Sequence, residues 1–330
     1  MKKILILLVS LLLLVGCGKK NEEDVIKEFE NKITSIKNYH LTGEMQILNN
    51  EDKYNYTVDV TYKKGNYYKV SLVNKENSHE QIILKNEDGV YVVTPSLNKS
   101  FKFQSEWPTN SSQSYILETI LNDILNDSDR NTTVKKESYI IKSKVNYPNN
   151  SDLKEQVVTL DKEYLPKTIE VKNSKGITQI KMVITKIDTK TNYEKDYFAL
   201  KSSVCDNCNK ETETTANLDD IVYPMYLPSG TIYSGEEVID KDGNNERVIL
   251  SYTGVKPFIL VEEIAKSKDK HETTLVSGEV VQYGPVVGVL TETSLNWSSN
   301  GKEYYIIGES LSNEELLQIA SSTATVALTK

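Results

Sequence analysis

The sequence predicts an α+β fold built on antiparallel sheet, on three observations. Apolar and polar residues alternate with a period of two through most of residues 40–188. Two helical stripes, with apolar residues three and four apart, flank or interrupt that alternation near residues 22–37 and 114–126. A polar stretch at 201–219 then precedes a second, shorter set of strands that closes on a helix. A chain of 330 residues has room for two such units.

The chain opens with Lys2 and Lys3, followed by the apolar run Ile4–Val15, broken only by Ser10. That is the layout of a secretory signal peptide. As a helix the run would span about 18 Å, short of the roughly 30 Å hydrocarbon core. It ends in Leu14-Val15-Gly16-Cys17, which resembles the lipobox of bacterial lipoproteins. The resemblance implies cleavage before Cys17, a diacylglycerol on its thiol, and tethering at the extracytoplasmic face of the cell membrane. Two acyl chains suffice for stable anchoring. Residues 1–16 are thus the leader, and 17–24 the lipidated cysteine and a polar tether.

The first unit covers residues 25–200. Val25, Ile26, Phe29, Ile33 and Ile36 form an amphipathic stripe from about Glu22 to Lys37, with mixed charges between them. A basic polar face would suit a membrane surface; this mixed one suits packing on the protein's own sheet. Leu41-Gly43-Met45-Ile47 begins the strand pattern. Tyr54, Tyr56, Val58, Val60 and Tyr62 then fall on one face of a strand, and Asn55, Thr57, Asp59, Thr61 and Lys63 on the other. Lys64-Gly65-Asn66 turns the chain into Tyr68-Val70-Leu72, and short strands at 81–84 and 90–93 complete a meander. After Trp107-Pro108, residues 114–126 carry Tyr115, Ile116, Leu117, Ile120, Leu121, Ile124 and Leu125, a helix that needs cover over a broad face. Strands resume at about 132–147, 155–160, 167–171 and 179–188.

Residues 201–219 form a linker containing Cys205-Asp-Asn-Cys208, and residues 220–330 a smaller α+β unit. In that unit Tyr226-Leu-Pro-Ser-Gly230 and Lys241-Asp242-Gly243 are turns, Val248-Leu250-Tyr252 and Phe258-Leu260 strands, and Gly284-Pro285 interrupts a third apolar region. Trp297-Ser-Ser-Asn-Gly301 links two further strands. Ser312 and Glu315 have capping-box spacing before a helix that runs to about Ser321.

Charge narrows the function. The formal charge of −8 becomes −10 when the leader, with its two lysines and no acids, is removed, and only Arg130 and Arg247 are arginines. Gripping a phosphate backbone takes clustered Lys and Arg, so nucleic acid is not an expected partner. His40, His79 and His271 have no metal-ligand spacing, no catalytic triad is legible, and acidic pairs such as Glu262-Glu263 are ordinary solvated charges. No catalytic residue, metal or cofactor is expected beyond the lipid on Cys17. Cys205 and Cys208 lie outside the βαβ context of a redox motif, and no second cysteine pair completes a zinc site. A small-loop disulfide is the leading reading; an unpaired or intermolecular role, or redox or metal chemistry, stays open. Among 20 tyrosines, those of the 54–62 stripe are the candidate ligand-lining residues, with Val58 and Val60; a core role is the plainer reading.

This order of elements resembles the LolA-like lipoprotein carriers, a half-open antiparallel barrel with helices closing its concave side, over residues 22–200. The stretch from Tyr226 through Leu295-Asn-Trp297 and Tyr304-Tyr305 to Leu311–Ala320 resembles a small C-terminal domain of Gram-positive lipoproteins. Together the two are similar to periplasmic regulators of anti-sigma factors, and the first to germination lipoproteins of spore formers. The carriers' lid uses arginine, which residues 18–129 lack, so that opening mechanism does not transfer. The resemblance implies a non-enzymatic lipoprotein that binds and regulates an envelope protein in sporulation or germination. The alternative is a lipid or lipoprotein carrier holding acyl chains on its concave face.

Overall fold

The computed structural model describes residues 21–49, 52–103, 105–204, 218, 221–241, 244–266, 268 and 270–328. The leader, Cys17, Cys205 and Cys208 lie outside them, as do most of the linker and two residues of the Lys241-Asp242-Gly243 turn. The fold is α+β, with two sheets and three α-helices among the described residues.

Helix α1 spans Glu22–Ser35 and starts in a capping box: the Asn21 side chain accepts from the Asp24 amide at 2.8 Å, and the Asp24 carboxylate from the Asn21 amide at 3.2 Å. It buries Val25, Ile26, Phe29 and Ile33 against the sheet, and ends at an extended Ile36. Strands β1 (Asn38–Asn49), β2 (Asp52–Lys63), β3 (Tyr67–Asn74), β4 (Glu80–Asn86) and β5 (Gly89–Thr94) form the expected meander, and β6 (Lys99–Phe103), not foreseen, extends it. Helix α2 spans Leu117–Asn126, starting later than the apolar stripe because Ser114–Ile116 are buried in irregular backbone. Residues 132–147, expected as one strand region, form the hairpin β7 (Asn131–Val134) and β8 (Tyr139–Lys144) and the start of a loop. Strands β9 (Leu153–Leu160), β10 (Pro166–Asn173) and β11 (Thr178–Asp188) follow.

The two meanders join through β1 and β11, which pair antiparallel from His40–Asp188 to Ile47–Ile180. At Gly43 the register shifts, and a Cβ there would sit 2.4 Å from the Val183 carbonyl oxygen, so the close approach requires glycine. Residues 190–204, aperiodic in sequence, are pinned on the back of this sheet by Phe198, which is buried with Tyr67, Leu84 and Tyr91.

The second sheet contains β12 (Thr231–Lys241), β13 (Asn244–Gly254), β14 (Phe258–Ile264), β16 (Glu279–Tyr283), β17 (Val286–Leu290), β18 (Ser294–Ser299) and β19 (Lys302–Ile307), in the order 12-13-14-19-18-17-16. Trp297, expected in a turn, lies in β18 and stacks on Tyr304 at 4.9 Å; the turn is Asn300-Gly301, both with positive φ. Helix α3 (Asn313–Leu328) runs longer than expected and covers one face with Leu316, Leu317, Ile319 and Ala320. Its capping box forms: the Ser312 amide donates to Glu315 at 2.9 Å.

The two sheets are not side by side. Strand β15 (Glu272–Leu275) leaves the second sheet's neighbourhood and pairs parallel with β6, making twelve strands in the first sheet. Val287 and Val289 of β17 join the first sheet's core beside Tyr54, Tyr56 and Val58. Three polar contacts seal the junction: Tyr56 Oη donates to the Pro285 carbonyl at 3.2 Å, Gln81 Nε2 to the Val287 carbonyl at 3.0 Å, and Lys99 pairs with Glu303 at 2.5 Å.

Candidate functional site

Every residue of the sequence-derived lining is buried. Tyr54, Tyr56, Val58, Val60 and Tyr62 face the helices and β17, with Val58 and Val60 at 0% exposure. Tyr62 continues an aromatic row, 5.0 Å from Tyr39 on one side and 5.0 Å from Tyr68 on the other, which meets Trp107 edge-on at 5.9 Å. Glu118 sits against this row and accepts from Tyr39 Oη at 3.0 Å; burial pushes its carboxyl up to about 7. Tyr54 and Tyr56 border a recess of about 20 Å³ with His79, room for about one water. The stripe is filled by the protein itself.

The histidines stay apart. His40 pairs with Asp59 at 2.8 Å, His79 meets Ser298 at 3.2 Å, and His271 meets Ser100 at 3.0 Å. Burial holds the His79 imidazole down at about 4. Among the described residues no three His, Cys, Asp or Glu side chains gather as a metal set.

A cleft of about 380 Å³ lies instead where the two sheets meet. Its floor is the end of β1 (Met45, Ile47, Asn49) and the start of β11 (Gln179, Ile180). One wall is the 147–153 loop, held to the 110–114 segment by the Ser112 and Asn146 amides at 2.7 Å each. The other is β16 with its turn, and the first turns of α3 supply Glu314 and Gln318. A type II′ turn needs a positive φ at its first central residue, and Gly284 provides it at 55°. Its Cα packs on Asn49, where a Cβ would lie 3.3 Å away.

Polar groups dominate the lining: Asn49, Gln113, Asn149, Gln179, Gln282 and Gln318 present amides. Tyr115 Oη donates to Gln282 Oε1 at 3.3 Å, while Gln282 Nε2 is buried with no partner. Burial raises the Tyr115 and Tyr147 phenols well above their ordinary value, so both stay neutral hydroxyls. Asp152 and Glu314 stand at the rim, neither in an ion pair among the described residues, and both raise the Tyr283 phenol after burial itself. Ser174 donates to Asp152, and Ser151 to Glu314 at 3.4 Å. A concave site of this size with many fixed hydrogen-bonding groups is equipped to hold a polar ligand. Among the described residues it contains no nucleophile hydrogen-bonded to a base.

None of these lining residues was legible as a site in the sequence. Residue 147 was expected to end a strand region, and Pro148, Asn149, Asn150 and Gln282 carried no reading. They converge only because β16 docks across the first sheet. The one local signal was Gly284-Pro285, expected to interrupt an apolar region; the structure makes it the tight turn between β16 and β17.

No protein-family model matches the chain. Several solved structures are similar at low identity. A chain of the Pseudomonas aeruginosa MucA/MucB complex is 12% identical, with a TM-score of 0.35 over 91% of this chain and 98% of the matched one. The Clostridioides difficile CwlD amidase–GerS lipoprotein complex contains a chain 16% identical, with a TM-score of 0.30 over 55% of this chain and 100% of its own length. Likenesses this distant carry nothing about activity or partners. Among curated proteins, the sporulation protein YdcC of Bacillus subtilis (strain 168) is 32% identical over 320 residues, spanning 96% of this chain and 94% of that protein. With that identity over nearly the full length of both, the chain belongs to the family of the sporulation protein YdcC.

Proposed function

We propose that this chain is a membrane-anchored, non-enzymatic lipoprotein of sporulating cells that binds and regulates another envelope protein. The observation that carries the reading is the occupation of the concave face: β17 and the helices fill the space over Tyr54–Tyr62. An acyl chain needs an empty apolar channel, and the cleft described above is amide-lined. A protein partner matches those groups better. The lipobox ending at Cys17 supports anchoring, and kinship with a sporulation protein supports the setting. The test is crosslinked purification of the lipidated chain from sporulating cells, beside the same anchor on an unrelated ectodomain. Enrichment of one envelope protein by the chain alone is expected. No enriched envelope protein would count against a binding role.

A further inference from the structure

The cleft is bordered by an open sheet edge. Strand β16 ends the second sheet's order, with β17 on one side and, among the described residues, no strand on the other. Five consecutive residues, Val280 to Gly284, line the cavity. Alternate side chains of a strand point to opposite faces, so such a run lines one space only where the strand presents its edge to it. The two-residue Gly284-Pro285 turn closes on the pair Tyr283–Val286, which makes Tyr283, Val281 and Glu279 the residues bonded to β17. The amides and carbonyls of Val280 and Gln282 therefore point off the edge, and neither has a further backbone partner among the described residues. Beside them Gln282 Nε2 is a buried donor with no acceptor. A buried donor left unmet is unfavourable, so an acceptor brought by a ligand is gained there.

We propose that this cleft takes an extended, basic segment of a partner protein, which adds as a strand to the free edge of β16. A backbone carbonyl of that segment meets Gln282 Nε2. Its Lys or Arg side chains meet Asp152 and Glu314, carboxylates that form no ion pair among the described residues, with Lys175 the one lysine whose charge is felt by Asp152, on a chain of net charge −8. Main-chain bonds supply affinity in this mode, and the flanking side chains supply selectivity. The proposal deepens the partner-binding reading and rests on it.

The test places a photocrosslinking side chain at Gln318 on the cleft rim, at Gln282 inside it, or at exposed Thr185 on β11 as a control, in the full chain in sporulating cells. Crosslinked peptides are sequenced by mass spectrometry. The expected result is one protein captured from Gln318 or Gln282 and not from Thr185, through a segment carrying net positive charge. Val280→Pro, which removes an outward amide that no strand among the described residues uses, should lower that yield at least tenfold, with the melting temperature measured beside it because Val280 also packs on the first sheet's core, and Asp152→Asn with Glu314→Gln should lower it separately. Should Val280→Pro disturb folding, the carboxylate pair alone decides. Capture of a partner only from Thr185, or yields indifferent to these changes, would overturn strand addition and leave the binding reading standing. No capture from any position would sink both.

Discussion

Glu118 and Asp123 lie on α2 with carboxyls that burial pushes up to about 7, from ordinary values of 4.5 and 3.8. In the unfolded chain both release their protons at ordinary values, so near neutrality the folded chain holds protons that the unfolded one has lost. Their stabilising contribution is complete in acid and fades as pH rises through about 7. His79, held at about 4, acts in the opposite sense between about 4 and 6.5 and is spent above that. The melting temperature should therefore fall between about pH 4.5 and 7, most steeply above about 6.5 where His79 no longer offsets it, and level off beyond; Glu118→Gln with Asp123→Asn should flatten that slope. An equal slope in the double variant would refute the assignment. A second residue-scale consequence concerns Glu262, expected as a solvated charge but found at 0% exposure, where it pairs with Lys302 at 3.0 Å and accepts the Val222 amide at 2.8 Å. Lys302→Met strands a buried carboxylate and should cost about 3–5 kcal/mol in denaturant unfolding. Adding Glu262→Gln should recover part of that loss, since the stranded charge is gone; no recovery would point to packing instead.

At the scale of elements, local chemistry was legible wherever it was self-sufficient. The α1 stripe, the Tyr54–Tyr62 alternation and the Ser312–Glu315 capping box each needed only their own residues, and each formed. Elements whose limits depend on distant contacts were placed less well. Helix α2 starts at Leu117 because Ser114–Ile116 are consumed in packing, and Trp297 stays in its strand because it stacks on Tyr304. Gly43 shows the same dependence: it sits at a register shift where β11 crowds it, with Val183 O and Met182 Cε both within 2.5 Å of a Cβ. Gly43→Ala should cost about 1–3 kcal/mol by displacing backbone. A neutral effect on thermal unfolding would mean that the two meanders join more loosely than the register implies.

For the whole molecule, the relation between the two sheets is the feature that sequence could not supply. Alternation identified Val58 and Val60 as one face of β2, but not what covers that face. The cover comes from β17, more than two hundred residues away, and the cleft exists only because β16 travels with it. This arrangement turns the candidate lining into core and moves the open space to an amide-rich junction. Native mass spectrometry of the chain from residue 19 onward, prepared without detergent, tests that account most directly. It predicts the bare polypeptide mass, unchanged by organic extraction. A mass excess that extraction removes and identifies as acyl lipid would contradict it, because the face over Tyr54–Tyr62 would then be open to a lipid.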